Sequence, residues 1–231
     1  MSDTPDVGVV LVAAGASSRL GGTELKQFRW IAGKPMLLHS LQLFHERRDV
    51  AMVVCVLPRQ YAGDPPPWIF QSDVDRLLIA AGGRERGESV LHGLEDLPDQ
   101  VRIVVVHDAA RPLVTMDVID RVVAEARAGR GAVAALPVAD TLKEVNAEGR
   151  VVRTIARDGL WRAQTPQAFP RAMIERAYAE ARRTRSYATD CAALCEQQGF
   201  EVAVVRGSER AAKVTEETDF ALVEAMSRTE K

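Results

Sequence analysis

The 231-residue chain carries 30 Lys and Arg residues against 32 Asp and Glu, a formal net charge of −2, and 47% of its residues are hydrophobic. This composition is typical of a globular protein with a sizeable core, and the balanced charge argues against a protein that binds nucleic acid through a basic surface. The sequence contains no apolar run as long as a membrane span and no signal-peptide pattern at its polar N-terminus, so we expect a cytoplasmic protein without a membrane partner.

Short apolar segments alternate along the chain with amphipathic ones. The predicted strands are residues 7–12, 52–57, 77–81, 103–106, 132–138 and 202–205. The predicted helices are residues 35–45, 89–97, 115–128, 170–183, 190–198 and 216–227, with Thr115 and Thr189 as helix caps. Strands that are apolar at successive positions are typical of a parallel sheet covered by helices on both faces. The order predicts a single α/β domain over residues 1–231 with a doubly wound, mostly parallel sheet.

Residues 138–157 interrupt this alternation. Two alternating runs, 141–145 and 150–155, flank the sequence Asn-Ala-Glu-Gly at 146–149, which predicts a β-hairpin. An antiparallel hairpin inserted into a parallel sheet usually projects from it. Both a decorated loop and an arm that grips a second subunit fit this pattern.

The loop after the first predicted strand has the features of a phosphate-binding loop. Ligands in open α/β sheets bind at the carboxyl ends of strands, and the small residues Ala13, Ala14 and Gly15 would let backbone N–H groups approach phosphate oxygens. Arg19 and Lys26, together with Mg²⁺, would offset the charge that gathers when a nucleotidyl group moves to a phosphate acceptor. The loop has neither the dinucleotide fingerprint nor a Walker motif. A plain tight turn with two surface cations is the alternative interpretation.

A series of motifs resembles, in order, those of the 2-C-methyl-D-erythritol 4-phosphate cytidylyltransferase family. They are Ala-Ala-Gly at 13–15 with Arg19 and Lys26, Gly-Gly-Arg-Glu-Arg-Gly-Glu-Ser-Val at 82–90, His-Asp-Ala-Ala-Arg-Pro at 107–112, Pro-Val-Ala-Asp-Thr-Leu-Lys at 137–143, Arg-Asp-Gly-Leu-Trp at 157–161, Gln-Thr-Pro-Gln at 164–167, Thr-Asp at 189–190 and Lys-Val-Thr at 213–215. The matches extend from residue 9 to about residue 224 without a large gap.

The resemblance implies a Rossmann-like nucleotidyltransferase that joins CTP to 2-C-methyl-D-erythritol 4-phosphate in the non-mevalonate route to isoprenoids. It implies that Arg19 and Lys26 stabilise the α-phosphate and that Arg157 and Lys213 position the acceptor phosphate, roles that suit guanidinium and ammonium groups. It also implies dependence on Mg²⁺ and a homodimer, in which the arm carries Thr141 and Arg157 across the subunit boundary. The other substrate-binding residues that it implies are Ala13, Ala14, Gly15, Gly82, Arg86, Ser89, Asp108, Arg111, Thr165 and Thr189.

Asp108 follows directly after the predicted strand 103–106 and His107. Three roles suit its carboxylate: a substrate contact, which the resemblance favours, a ligand of Mg²⁺, or an ion pair with Arg111. We expect His107 to be a hydrogen-bonded structural residue, because the attacking phosphate is already an anion and needs no general base.

Four positions depart from the family pattern. Ser17 stands where a glycine is usual and Leu25 where a proline is usual, whereas Ala211 replaces a frequent Asn and Cys191 a frequent acidic residue. None of these changes removes a charged residue that we assign to catalysis. Two alternatives remain open: a cytidylyltransferase for another polyol phosphate, such as ribitol 5-phosphate, and a non-catalytic nucleotide-binding module on the same fold. The missing glycine fingerprint disfavours a dinucleotide-dependent oxidoreductase.

Overall fold

Strands and helices alternate along most of the chain in the computed structural model, which describes residues 4–15, 25–185 and 187–229. The strands are β1 Val7–Val12, β2 Trp30–Ile31, β3 Lys34–Pro35, β4 Val50–Leu57, β5 Leu77–Ala81, β6 Ile103–Asp108, β7 Gly131–Pro137, β8 Leu142–Val145, β9 Val151–Ile155, β10 Trp161–Pro170 and β11 Val202–Arg206. The helices are α1 Met36–His45, α2 Arg59–Ala62, α3 Arg86–Glu95, α4 Met116–Arg127, α5 Arg171–Thr184, α6 Cys191–Gln197 and α7 Glu217–Ser227. Short 3-10 turns lie at Lys26–Phe28, Pro67–Gln71, Val74–Arg76 and Glu209–Ala211.

The central sheet has seven strands in the order β11-β7-β10-β6-β1-β4-β5. Its neighbours pair in parallel except β10, which runs antiparallel to both β6 and β7. The mostly parallel, doubly wound sheet predicted from the sequence is therefore confirmed. The sequence pattern does not predict strand β10, because the polar residues Gln164, Thr165 and Gln167 and the proline Pro166 lie at its middle. At the same place its register against β7 shifts, between Ala163 and Gln167.

Strand β1 shows why the sheet strands are apolar at successive positions. Val9 and Leu11 belong to the hydrophobic cluster that includes α1 and α4, and Val10 belongs to the cluster that includes α3, α5 and α6. All three side chains are fully buried. Helices thus cover both faces of the sheet, and the strand ends remain the open edge where a ligand can bind.

The predicted hairpin is present as the separate two-stranded sheet of β8 and β9. Gly149 in its turn has φ +75°, a conformation that favours glycine. Most of the hairpin is exposed to solvent, including the side chains of Val145, Val151 and Val152, at 54%, 60% and 59% exposure. We call residues 138–157 the arm.

The predicted helices begin within one residue of their predicted starts except α3, and the predicted cap of α6 is not used. Helix α3 begins at Arg86 instead of residue 89, because Ser89 lies inside the first turn, where its N–H and its hydroxyl both donate to the carbonyl oxygen of Glu85. Thr189 does not cap α6: the cap is Asp190, whose carboxylate accepts a hydrogen bond of 2.9 Å from the N–H of Ala193. Thr115 occupies the cap position of α4, but its side chain makes no capping hydrogen bond.

Among the helices in the described ranges, none combines the length and the apolar character that a membrane crossing requires.

Candidate active site

A cleft of about 410 Å³ opens where strands β1 and β6 end. The predicted site residues that line it are Ala13, Ala14, Gly15, Lys26, Arg86, Ser89, Asp108 and Lys213. Residues that the sequence analysis did not assign also line it: Val12, Gln27, Gly83, Arg84, Glu85, Ala109 and Ala110. Each of these lies within two positions of a predicted residue. The motifs therefore located the cleft, but they did not distinguish the residues that line it from the residues that lie behind its surface.

Buried hydrogen bonds hold the loop after β1 in place. The N–H of Ala13 donates to the carbonyl oxygen of Val56 at 2.9 Å, and the side-chain amide of Gln27 donates to the carbonyl oxygen of Ala13 at 2.6 Å. Gln27 is almost completely buried. The Lys-Gln pair of the motif therefore combines a cation at the cleft with an amide that fixes the adjacent backbone.

The Gly-Gly segment before α3 approaches this loop closely. A Cβ atom at Gly82 would stand 2.3 Å from the Cβ of Ala14, so a side chain at this position would displace the loop. The hydroxyl of Ser89 accepts a hydrogen bond of 3.1 Å from the N–H of Gly83 and donates to the carbonyl oxygen of Glu85, also at 3.1 Å. Ser89 therefore orders the Gly-Gly segment, and Gly82 lies behind the cleft surface.

Asp108 is the centre of a buried charge cluster. Its Oδ1 lies 3.0 Å from Nε and 2.9 Å from Nη2 of Arg86, and its Oδ2 accepts a hydrogen bond of 2.7 Å from Nζ of Lys213. The predicted alternative of an ion pair with Arg111 is not present as a direct contact between these two described residues: the Arg111 guanidinium donates to the carbonyl oxygen of Ala211 at 2.6 Å, and its charge acts on Asp108 at longer range. Arg111 does not line the cleft.

The pKa of Asp108 reflects these neighbours. Burial alone would raise it, but the positive charges of Arg86 and Lys213 outweigh burial and hold the pKa well below its usual range. Burial would likewise lower the pKa of Arg86, but the negative charge of Asp108 outweighs burial there and raises it. Both groups are therefore ionised at neutral pH, and their fixed charges set the electrostatic potential of the cleft before a ligand binds.

Cys191 lies on the far side of Arg86. Its sulfur accepts a contact of 3.8 Å from Nη1 of Arg86 and lies 3.2 Å from the hydroxyl of Tyr178. Burial raises the pKa of the Cys191 thiol, so it is neutral at pH 7. The departure from the family pattern at this position thus removes a negative charge beside Arg86 and leaves Asp108 as its ion-pair partner.

A hydrogen-bonded chain supports Asp108 from behind. The N–H of Asp108 donates to the hydroxyl of Thr165 at 3.0 Å, and this hydroxyl lies 3.1 Å from Nδ1 of His107. Burial lowers the pKa of His107 to about 4, so the ring is neutral and its Nδ1 accepts from Thr165 while its Nε2 donates to the carbonyl oxygen of Arg111 at 3.2 Å. The expectation that His107 is a hydrogen-bonded structural residue agrees with these contacts. Thr165 is buried behind the cleft rather than on its surface.

The two lysines of the cleft come from distant parts of the chain. Nζ of Lys26 donates to the carbonyl oxygen of Val214 at 3.2 Å, directly beside Lys213. The N–H of Val214 in turn donates to the carbonyl oxygen of Ala110 at 2.8 Å, in the loop after β6. These two cations thus line one cleft together with the small residues Ala13, Ala14 and Gly15, an arrangement suited to a polyphosphate.

The remaining predicted residues lie outside this cleft. Arg157 is exposed at the base of the arm, where its guanidinium donates to the carbonyl oxygen of Ala139. Thr141 and Thr189 are exposed as well, and neither lines the cleft. Arg19 and Ser17 lie outside the described residues. Within one chain, the structure therefore brings Lys26 and Lys213 together but leaves Arg157 apart from them.

The described residues do not form a metal site of their own. Among them, no three His, Cys, Asp or Glu side chains cluster closely enough to hold a metal ion. Asp108 is the carboxylate at the cleft that the sequence offers as a ligand, and both of its oxygens already contact cations. A protein-only Mg²⁺ site does not fit this arrangement.

Comparison with known proteins adds the family to this geometry. The model of the family described as IspD, 2-C-methyl-D-erythritol 4-phosphate cytidylyltransferase, matches residues 7–229. The chain belongs to this family. The match confirms the resemblance on which the sequence analysis relied.

Relatives of this cytidylyltransferase family match nearly the whole chain. A 2-C-methyl-D-erythritol 4-phosphate cytidylyltransferase from Syntrophus aciditrophicus is 36% identical over 230 residues, which cover 98% of each protein. The bifunctional enzyme IspD/IspF from Desulfotalea psychrophila is 35% identical over 96% of this chain, and the chain spans 57% of that protein's length. The crystal structure of 2-C-methyl-D-erythritol 4-phosphate cytidylyltransferase from Thermus thermophilus superposes with a TM-score of 0.81 at 34% identity, covering 97% of this chain and 100% of that one.

Proposed function

We propose that the protein transfers the cytidylyl group of CTP to 2-C-methyl-D-erythritol 4-phosphate, forming 4-diphosphocytidyl-2-C-methyl-D-erythritol and pyrophosphate. The observation that carries this proposal is the family match over residues 7–229 together with a cleft that both Lys26 and Lys213 line. In the reaction, an oxygen of the acceptor phosphate forms a bond to the α-phosphorus of CTP. The bond from that phosphorus to the bridging oxygen breaks, and pyrophosphate leaves with the electron pair.

Charge stabilisation accounts for the roles of the lysines. Lys26 lines the cleft together with Ala14 and Gly15 of the loop after β1, and it would offset the charge at the α-phosphate. Lys213 would turn from Asp108 toward the acceptor phosphate. Arg86 would keep the charge of Asp108 balanced during this exchange, because its own contact with Asp108 lies on the other carboxylate oxygen. The neutral His107 is not required as a base, since the nucleophile is already an anion.

The direct test is turnover with purified protein. Pyrophosphate release is measured with CTP, UTP and ATP, each combined with 2-C-methyl-D-erythritol 4-phosphate and with ribitol 5-phosphate. We expect CTP and the methylerythritol phosphate to give the highest kcat/KM, and Lys26→Ala to lower it by about a hundredfold or more. A preference for ribitol 5-phosphate would overturn the acceptor assignment, and the absence of turnover with any pair would favour a nucleotide-binding module.

We also propose a homodimer in which the arm of one subunit completes the cleft of the other. The exposed valines of the arm and the exposed side chains of Leu160 and Trp161 at its base supply an apolar surface for a partner copy. The position of Arg157 away from its own chain's cleft agrees with such an exchange. Mixing Arg157→Ala with Lys213→Ala protein after subunit exchange is expected to restore about a quarter of wild-type activity, because mixed dimers hold one intact site. No recovery, or a monomer in solution, would contradict the shared site.

Mg²⁺ is the proposed cofactor. Because the described side chains do not form a metal site, the triphosphate oxygens and water would supply most ligands of the ion. Mg²⁺ commonly binds substrate phosphates in this way and keeps several water ligands. Loss of turnover with EDTA and its recovery on addition of MgCl₂ would support this dependence. The cytoplasmic location expected from the sequence stays a prediction.

A further inference from the structure

The two lysines of the cleft sit on segments that a surface contact joins. Lys26 begins the 3-10 turn Lys26–Phe28, and Lys213 precedes helix α7 by four residues. Arg29 follows the first segment directly, and Glu217 is the first residue of α7. Arg29 is therefore three residues after Lys26, and Glu217 is four residues after Lys213.

The Arg29 side chain joins the two segments through contacts with Glu217 and Phe220. Its Nη1 and Nη2 donate to Oε2 and Oε1 of Glu217 at 2.6 and 2.7 Å, a two-bond arrangement that fixes orientation as well as distance. The guanidinium also lies over the ring of Phe220, 4.1 Å from its centroid. We call Arg29, Glu217 and Phe220 the Arg29 clasp.

Packing and a backbone hydrogen bond hold the first segment, Lys26–Phe28, and the adjacent Arg29 in place. Phe28 is buried and packs edge-on against Tyr61 and Trp68, with ring centroids 5.0 and 5.4 Å apart. The carbonyl oxygen of Arg29 accepts a hydrogen bond of 2.8 Å from the N–H of Met36, the first residue of α1. A shift of Arg29 would therefore be passed to Lys26 through a short, packed turn.

The second segment is held as firmly. Oδ2 of Asp219 accepts hydrogen bonds from the N–H groups of Thr215 and Glu216 at 2.7 and 2.9 Å, which ties the chain after Lys213 to the first turn of α7. Phe220 and Val214 are buried in the same hydrophobic cluster. The clasp thus connects two small rigid units, and each unit carries one lysine of the cleft.

We infer that Arg29 is a positioning residue that sets the distance between Lys26 and Lys213 without touching the substrate. The inference deepens the proposed function and rests on it for its kinetic consequence. Arg29 does not line the cleft, and the Glu217 side chain is 66% exposed, so this ion pair contributes little to global stability. Its removal is expected to act on the reaction rather than on folding, because small displacements of charged groups strongly affect phosphoryl transfer.

The test compares Arg29→Met, Glu217→Gln and the charge-reversed pair Arg29→Glu/Glu217→Arg. We expect either single change to lower kcat/KM for CTP by about tenfold with little change in melting temperature, and the reversed pair to recover part of the loss. The matched control is Arg121→Met, which removes an Arg–Asp ion pair of similar exposure on α4, away from the cleft. The control is expected to keep wild-type kinetics.

A second measurement does not depend on turnover. Lysines are reductively methylated with ¹³C-formaldehyde, and the Lys26 methyl signal is assigned by its loss in Lys26→Arg protein. We expect Arg29→Met to shift this signal and Arg121→Met to leave it in place. Wild-type protein that does not turn over CTP would refute the proposed function, while a Lys26 signal that Arg29→Met leaves unchanged would overturn the positioning role. A shifted signal with unchanged kcat/KM would also overturn it.

Discussion

The Thr165 hydroxyl is the group whose removal tests the support of the site most directly. It is buried, and it joins the N–H of Asp108 to Nδ1 of His107. Thr165→Val removes the hydroxyl and keeps the shape of the side chain, so two buried polar groups lose their partner. Each unsatisfied group costs about 1–3 kcal/mol, and the added methyl returns about 0.8 kcal/mol. We therefore expect the free energy of unfolding to fall by about 1–5 kcal/mol, with a central value of about 3 kcal/mol.

Urea unfolding, followed by circular dichroism, measures this loss. The melting temperature should fall by about 2–4 °C per kcal/mol for a chain of this size. Thr165→Ser is the matched control: it keeps the hydroxyl, loses one methyl group, and is expected to cost about 1 kcal/mol. Because the bond orients Asp108, Thr165→Val should also lower kcat with CTP more than Thr165→Ser does. A valine variant as stable as the serine variant would refute the hydrogen-bonded chain as the support of Asp108.

Three further changes test separate parts of the site and its surroundings. Asp108→Asn is expected to lower the free energy of unfolding by about 3 kcal/mol at pH 7, at the low end for a buried pair because Lys213 is 39% exposed. Since the folded pKa of Asp108 lies below its unfolded value, this contribution is present above about pH 4 and lost as the pH falls further, so urea midpoints of the variant and wild type should converge in acid. Gly82→Ala places a Cβ 2.3 Å from that of Ala14 and should raise the KM for CTP, whereas Gly63→Ala, with no atom within 4 Å of its Cβ, should not. Asp190→Ala should cost about 2–4 kcal/mol of stability, about 1 kcal/mol from the lost α6 cap and about 1–3 kcal/mol from the buried Gln167 amide that loses its acceptor, whereas Thr189→Ala should cost almost none, as thermal melts can show.

Hydrophobic periodicity predicts most of the sheet and its helices because the strands are buried on both faces. Strand β1 carries apolar residues at successive positions, and the structure places them in two separate clusters. Strand β10 escapes prediction for the converse reason. Its polar residues Gln164, Thr165 and Gln167 are buried and satisfied by distant groups, such as the carbonyl oxygen of Ser208, so no local pattern marks them as strand.

The motifs locate the cleft, but their spacing does not contain the roles of individual residues within it. Arg111 belongs to the same motif as Asp108, and Thr165 to the Gln-Thr-Pro-Gln motif, yet the structure uses both to hold backbone carbonyl and N–H groups behind the surface. Gln27 shows the opposite case: it follows a predicted catalytic lysine, and its buried amide secures the loop that the lysine serves. Such distinctions depend on which way a side chain points, and this is decided by tertiary contacts far apart in sequence.

The ion pairs of Asp108 with Arg86 and Lys213 allow the cleft to hold positive charge for two phosphate substrates without leaving buried cations unpaired in the free protein. Lys213 and Arg86 share the carboxylate of Asp108, one on each oxygen, so neither positive charge is buried without a counter-charge. Lys213 is the more exposed of the two, and its bond to Asp108 is therefore the easier one to exchange for a phosphate oxygen. In the proposed reaction, Arg86 would still neutralise Asp108, and the acceptor would gain a lysine that Asp108 and the backbone bond of the adjacent Val214 to Ala110 had positioned beforehand. In the proposed reaction, the same buried carboxylate thus holds one catalytic cation until the substrate phosphate replaces it.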